Sequence, residues 1–195
     1  MSSIVGIALR HWKLGSSVGP RPLTLRVMRP TEPDSVLRLV PFQPDLADAF
    51  REINEEWITT MFQMEASDRA LLATPQESII DPGGFIWFVE HEEHGLVGAC
   101  ALVPRGEGAF ELTKMGVLER ARGLKAGEFL LEAVLEEARE RGLDPLFLLT
   151  NSRCEAAIHL YRKHGFVDDA EIMRRYAATY ARCDVAMLWK PSKQA

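Results

Sequence analysis

Cysteine is scarce in this chain: three residues in 195, at Cys100, Cys154 and Cys183. Their odd number and wide spacing exclude a disulfide framework and the usual zinc patterns, and point to a reducing, cytoplasmic setting. No stretch approaches the ~18 uninterrupted apolar residues of a membrane helix, so no membrane partner is expected. A formal charge of −5 argues against a nucleic-acid partner. There is no G-x-x-x-x-G-K-[ST] and no G-x-G-x-x-G after a first strand, which argues against an ATP loop and a dinucleotide fold. The five histidines are scattered, and no metal site is expected. Internal repeats and low-complexity segments are absent.

What is present is an ordinary globular composition, 47% hydrophobic and 26% charged, in a chain long enough to bury roughly 70% of its unfolded surface. Charge is unevenly spread. Arg10, Lys13, Arg21, Arg26 and Arg29 stand in an acid-free opening of 31 residues, which leaves −10 on the remainder. An acid-free, Arg- and Ser-containing start reads as an organelle transit peptide, a disordered tail or an over-extended start ahead of Met28. Four prolines (20, 22, 30 and 33) punctuate it. The expected organisation is a basic extension over 1–34 and one domain over 35–195.

Strand and helix patterns alternate from there. Val36–Val40 reads as a strand, and a helix opening at Pro44-Asp45 places Leu46, Phe50, Ile53 and Trp57 on a buried face. A second helical piece spans about Glu65 to Leu72. Strands are expected at Phe85–Glu90, Leu96–Val103 and about Ala109–Val117, joined by turns at His91–Gly95 and Arg105–Gly108. The longest helix runs from Lys125 to Arg141, stops at Gly142, and buries Leu131, Val134, Leu135 and Ala138. Pro145–Thr150 lacks polar alternation, as in a central strand covered on both faces. A helix over Cys154–His164 and a strand over Asp184–Lys190 complete a mixed α/β domain.

Chemistry concentrates where the third of these strands runs through Met115 and Val117 into Arg122-Gly123-Leu124-Lys125-Ala126-Gly127 and then a long helix. Small residues admit close approach of backbone N–H groups, and a helix N-terminus attracts an anion by ~0.3–1 kcal/mol per contact. This predicts a phosphate or pyrophosphate cradle, supplemented by Arg120, Arg122 and Lys125. A tight strand–helix connection with incidental arginines is the plainer alternative.

The same loop, followed by a buried strand, Asn151 and Ala157-Ile158-His-Leu-Tyr161-Arg-Lys-His-Gly165-Phe166, resembles the GNAT acetyltransferase superfamily. Arg122 and Gly127 fit its Q/R-x-x-G-x-G/A signature, with Lys125 in place of the middle glycine, and Ala157–Phe166 fits its A-I-x-L-Y-x-x-x-G-F helix throughout. Where many members have Asn seven residues before the tyrosine, this chain has Cys154. The resemblance implies a splayed, mostly antiparallel mixed sheet with helices on both faces, and acetyl-CoA as co-substrate with no metal. It implies backbone contacts to the pantetheine and thioester near Met115 and Val117, and pyrophosphate bound by the Arg122–Gly127 amides. It also admits a homodimer.

An amine acceptor with a pKa near ~10.4 must lose a proton before attack, at a cost of roughly 4.6 kcal/mol at pH 7. Glu111, eleven residues before Arg122, is where some members of that superfamily place a catalytic glutamate; an ordinary strand-end carboxylate and a water chain are the alternatives. Tyr161, protonated at pH 7, is placed to donate to the departing thiolate, or is simply a core tyrosine. Asn151 is a candidate for pantetheine or acceptor contact, or for a turn role. Glu55, with Glu65 and Asp68, would draw a cationic amine, or forms a solvated face. Arg182 would bind an acceptor carboxylate or pair with Asp184. The expected function is N-acetyl transfer from acetyl-CoA to a small-molecule amine in a ternary complex. A protein lysine or N-terminal acetyltransferase and a non-catalytic acyl-CoA sensor are the alternatives.

Overall fold

A computed structural model of the chain describes residues 36–191; the basic opening segment lies outside them. The first strand is β1 (Leu37–Pro41), and a 3-10 turn at Pro44–Leu46 leads into α1 (Ala47–Met61) and α2 (Ala66–Ala73). A wide helical turn at Gln76–Ile80 precedes the meander β2 (Phe85–His91), β3 (Gly95–Pro104) and β4 (Phe110–Val117). Then come α3 (Ala126–Arg141), β5 (Leu146–Thr150), α4 (Glu155–Lys163), β6 (Phe166–Asp168), α5 (Ala170–Tyr176) and β7 (Val185–Trp189).

The strands form one seven-stranded sheet in the order β1-β2-β3-β4-β5-β7-β6. All pairings are antiparallel except β4–β5, whose parallel register requires the crossover that α3 supplies. On one face Leu130, Leu131, Val134 and Ala138 of α3 and Tyr161 of α4 pack against Leu102, Leu112 and Leu148. On the other, Phe50, Ile53 and Ile58 of α1 and Leu72 of α2 cover Ile86, Phe88, Ala99 and Val103. The expected stripe of α3 is buried, the helix ends at Gly142 with φ of +65°, and Glu137 pairs with Arg141 at 2.7 Å.

Two elements went unanticipated, β6 and α5. Asp169 caps α5 by accepting from the amides of Glu171 and Ile172, the local signal that marks its start. Trp57, expected in the core, is half-buried. Its indole instead lies against the backbone of Gly116, where a Cβ would come within 2.2 Å of the ring.

Candidate active site

The site is built by a failure of strand pairing. β4 and β5 pair only from Phe110↔Leu146 to Leu112↔Leu148, after which the two strands part. At the same point β4 bulges: Thr113 opposes Ala101 and Gly116 opposes Ala99, so Lys114 and Met115 together face Cys100. Lys114 takes a left-handed φ of +51° to make that turn. A bulge leaves main-chain groups unpaired and re-aims the side chains beside it. The outcome is an open cleft of about 560 Å³ between the diverging strands, walled by Met115, Asn151, Cys154 and Tyr161 and by Trp57, Phe62 and Tyr180.

At the far end of β4 the chain passes through a 3-10 turn, Glu119–Ala121, into the loop before α3. The amides of Arg122 and Leu124 donate to the carbonyls of Glu119 and Ala121. Those of the first α3 turn, beginning at Ala126 and Gly127, are the intrinsically unpartnered donors of a helix N-terminus. Gly123 has φ of +86°, and Lys125, standing where the resembled signature has glycine, also adopts the left-handed region at +57°. The lysine therefore reproduces the backbone turn at a steric cost. Gly127 has room in front of it, since a Cβ there would meet only Val117 at 3.5 Å. The Arg122 side chain is exposed and lies 3.2 Å from Glu119. Unpaired strand groups feeding into free helix-terminal amides suit an extended amide chain ending in a pyrophosphate.

Tyr161 lies on the α3/α4 side of the cleft. Its hydroxyl donates to the Met115 sulfur at 3.9 Å. Burial, aided by nearby Cys100 and Cys154, pushes its phenol well above the ordinary tyrosine value, so it stays a proton donor at any physiological pH. Burial likewise raises Cys100 and Cys183, which keeps both as thiols.

On the α1/α2 side a buried ionic cluster closes the cleft. Asp68 of α2 accepts from Lys114 at 2.8 Å, from both terminal nitrogens of Arg182 at 2.7 and 2.8 Å, and from the Glu65 amide at 3.0 Å. Burial alone would raise the Asp68 carboxyl, but Arg182 and Lys114 more than offset it and hold it well below the usual carboxylate range. Glu65 in turn accepts from the amides of Ala181 and Arg182, which ties α2 to the segment entering β7. Tyr180 stands between, 3.3 Å from the Thr113 hydroxyl and 3.5 Å from Lys114 Nζ.

Several expected site residues sit elsewhere. Arg182 pairs with Asp68 rather than Asp184, because Asp184 accepts from the amide and hydroxyl of Ser152. Glu55 is outside the cleft lining and faces Arg51 at 3.6 Å, one helical turn back. Glu111 is fully buried, also outside the cleft lining, and bonded to Arg105 at 2.6 Å, with its second oxygen unpartnered. Asn151 lines the cleft, but its side chain serves the turn: Oδ1 accepts from the Arg153 amide and Nδ2 donates to the Arg182 carbonyl. Val117 and Arg122 border a second recess with Glu56, whose carboxylate accepts from the Glu119 amide at 2.8 Å. Glu128, Glu132 and His164 come together on the α3/α4 surface with ligand atoms within 4.8 Å, but Glu128 is already bonded to Lys163. The Asp68 cluster went unread because its members are 46 and 114 residues apart.

The model of the Acetyltransferase (GNAT) family matches residues 46–166. The chain is 28% identical over 128 residues to an uncharacterized N-acetyltransferase of Schizosaccharomyces pombe, covering 63% of this chain and 77% of that one. It is 42% identical over 74 residues to an IAA acetyltransferase of Azospirillum brasilense, covering 37% of this chain and only 48% of the relative. A GNAT-family acetyltransferase structure from Staphylococcus aureus superposes with a TM-score of 0.68 at 18% identity, over 78% of this chain and 98% of the other.

Proposed function

Because the chain belongs to the GNAT acetyltransferase family, and is thereby an acetyl-CoA-dependent acyltransferase, we propose that it acetylates the primary amine of a small molecule in the cytoplasm, by direct attack within a ternary complex, with a homodimer as the form to test in solution. The observation that carries this reading is the parting of β4 from β5 beside the bulge at Lys114 and Met115, on the strand that leads through the 3-10 turn at Glu119–Ala121 to the amides opening α3.

Bound acetyl-CoA supplies the acyl thioester. Backbone groups at Met115 and Val117 hold the pantetheine arm, with Asn151 shaping the opposite edge, and the amides of the Arg122–Gly127 loop that are not already bonded within it, toward Ala126 and Gly127, hold the pyrophosphate. The amine nitrogen attacks the thioester carbonyl, an N–C bond forms and the C–S bond breaks. The CoA sulfur leaves as a thiolate and receives a proton from the Tyr161 hydroxyl. Its position in the cleft wall, with one weak bond to the Met115 sulfur at 3.9 Å to give up, supports that role. Of the two protons the ammonium sheds, one restores the Tyr161 phenol and the other is taken up by Glu111, whose second oxygen is buried without a protein partner, and then released to solvent.

Calorimetric titration with acetyl-CoA, using ATP and NAD as controls, tests the groove. Saturable binding of acetyl-CoA alone supports it, and release of free CoA thiol with an amine panel then tests turnover. Absence of binding removes the proposed activity and leaves the fold without its ligand.

A further inference from the structure

The side chains lining the cleft include no acid, and the charged ones among them are Lys114 and Arg182. The carboxylates expected to attract a cationic amine are spent elsewhere. Glu55 faces Arg51, Asp68 lies under Lys114 and Arg182, and Glu65 accepts from two main-chain amides while also lying 3.2 Å from Arg182. Asp68 and Glu65 balance Lys114 and Arg182 one for one. A polyamine entering this cleft finds no carboxylate in its lining.

One arginine beside the cleft makes no ion pair among the described residues. Arg153 occupies the β5–α4 turn between Asn151 and Cys154, directly before the latter in one cleft wall. Its guanidinium lies 5.0 Å from the centre of the Phe62 ring, which belongs to the opposite wall, and the Arg182 guanidinium lies 5.6 Å from the same ring. The other arginines among the described residues each pair with a carboxylate or donate to a carbonyl oxygen. Among the described residues, the side-chain contact of Arg153 is the Phe62 ring. Stacking on an aromatic face holds a guanidinium flat while leaving its fork of donors open, the arrangement that recognises a carboxylate with two parallel bonds.

We propose that Arg153 is a specificity-determining residue that holds a carboxylate of the acceptor, so that the amine acetylated here belongs to an amino acid or similar amino-carboxylate rather than to a polyamine. This rests on the acetyl-transfer reading above and adds the acceptor's chemical class. Phe62 serves as the platform that positions the guanidinium.

The test measures CoA release by the full chain with free amino acids, their C-terminal amides, and linear diamines and spermidine. The expected pattern is a kcat/KM for at least one free amino acid ten or more times that of its amide and of any polyamine. Arg153→Ala should then raise KM for that amino acid at least tenfold, with kcat, the KM for acetyl-CoA and the KM for the amide unchanged. Arg153→Lys should recover part of the loss. Equal use of acid and amide, or preference for a polyamine, overturns the proposal while leaving acetyl transfer intact. A rise in the KM for acetyl-CoA alone also overturns it and assigns Arg153 to the cofactor. If no amine is turned over, calorimetry of the same amino acids with CoA present decides: binding at least tenfold tighter to the wild type than to Arg153→Ala supports the proposal, and no difference overturns it. Failure to bind acetyl-CoA strikes the underlying reading instead.

Discussion

The Lys114 ammonium lies 2.8 Å from the Asp68 carboxylate, and both side chains are closed off from solvent. Two buried charges are costly to desolvate, and they persist here because Arg182 and the Glu65 amide satisfy the remaining lone pairs of Asp68. The cluster thereby joins α2, the β4 bulge and the segment entering β7 around one carboxylate.

Asp68→Asn should therefore destabilise the fold by ~3–5 kcal/mol at pH 7, since it leaves two buried cations without their partner. Replacing all three charged residues together, as Asp68→Leu with Lys114→Met and Arg182→Met, should recover most of that loss. Urea denaturation of the three proteins measures both. The sign of the pH dependence follows from the depressed Asp68 carboxyl. Its stabilisation is complete above the unfolded-state value of ~3.9 and drains away as pH falls through the lower folded value. The gap between wild type and Asp68→Asn should thus be constant from neutral pH to about 5 and shrink below about 4. A gap that widens on acidification would contradict the assignment.

Much of this architecture was legible residue by residue. The 3.6-residue stripe of α3, its glycine stop and the unbroken apolar run of β5 are local patterns, and local patterns survive folding. The bulge at Lys114 was not legible, because nothing in Lys-Met-Gly distinguishes a residue held at positive φ from its neighbours. The partner of Arg182 was equally hidden. Asp184 is two residues away and Asp68 is 114 away, and only the folded sheet shows that Ser152 has already engaged the nearer one. Glu111 shows a third limit: a strand residue's face depends on register, and here Arg105 across the turn claims its carboxylate.

Gly116 has a role that its place in a strand conceals. A Cβ there would stand 2.2 Å from the Trp57 ring, so Gly116→Ala should cost ~1–3 kcal/mol through overpacking. In a chain of this size that lowers Tm by ~2–4 °C for each kcal/mol. Combining it with Trp57→Leu should cost less than the two single changes added, because the smaller side chain vacates the contested space. Thermal melts of the four proteins test this, and strict additivity would place the clash elsewhere.

Lys125 presents the opposite case, a side chain where the backbone favours none. With φ at +57°, Lys125→Gly relieves ~1–2 kcal/mol of strain and returns part of it as freedom of the unfolded chain. A net gain of ~0.5–1 kcal/mol is expected by denaturation. The same change removes a cation from the cradle, and CoA affinity should fall about two- to fivefold, an effect that shrinks as salt is raised. Reversing charge at both Arg122 and Lys125 should weaken CoA far more than a pantetheine analogue lacking the pyrophosphate. Equal losses for the two ligands would remove the pyrophosphate from this loop.

Glu111 is assigned one of the amine's protons, and its bond to Arg105 sets the terms of the test. Glu111→Gln keeps the shape and one acceptor for Arg105, so the fold should survive with a modest loss of Tm. A general base typically contributes ~10²–10⁴ in rate. The variant should lose at least tenfold in kcat at neutral pH and regain much of it as pH rises and the amine deprotonates unaided. An unchanged pH–rate profile would leave Glu111 as a structural partner of Arg105 and give proton removal to water alone.

Tyr161 offers the sharpest division between chemistry and packing. Among the described residues its hydroxyl makes one hydrogen bond, to the Met115 sulfur at 3.9 Å, and that weak bond contributes little to stability. Its ring packs edge-on against Phe166 and is retained by phenylalanine. Tyr161→Phe should therefore fold as the wild type and bind acetyl-CoA with nearly the same affinity. Turnover should fall by ~10²–10⁴, since the thiolate then leaves without a proton donor. Because burial holds the phenol well above its ordinary value, the wild-type rate should show no alkaline fall from this group up to about pH 10. Tyr161→Phe with full activity would return the residue to the core and require another donor to the departing sulfur.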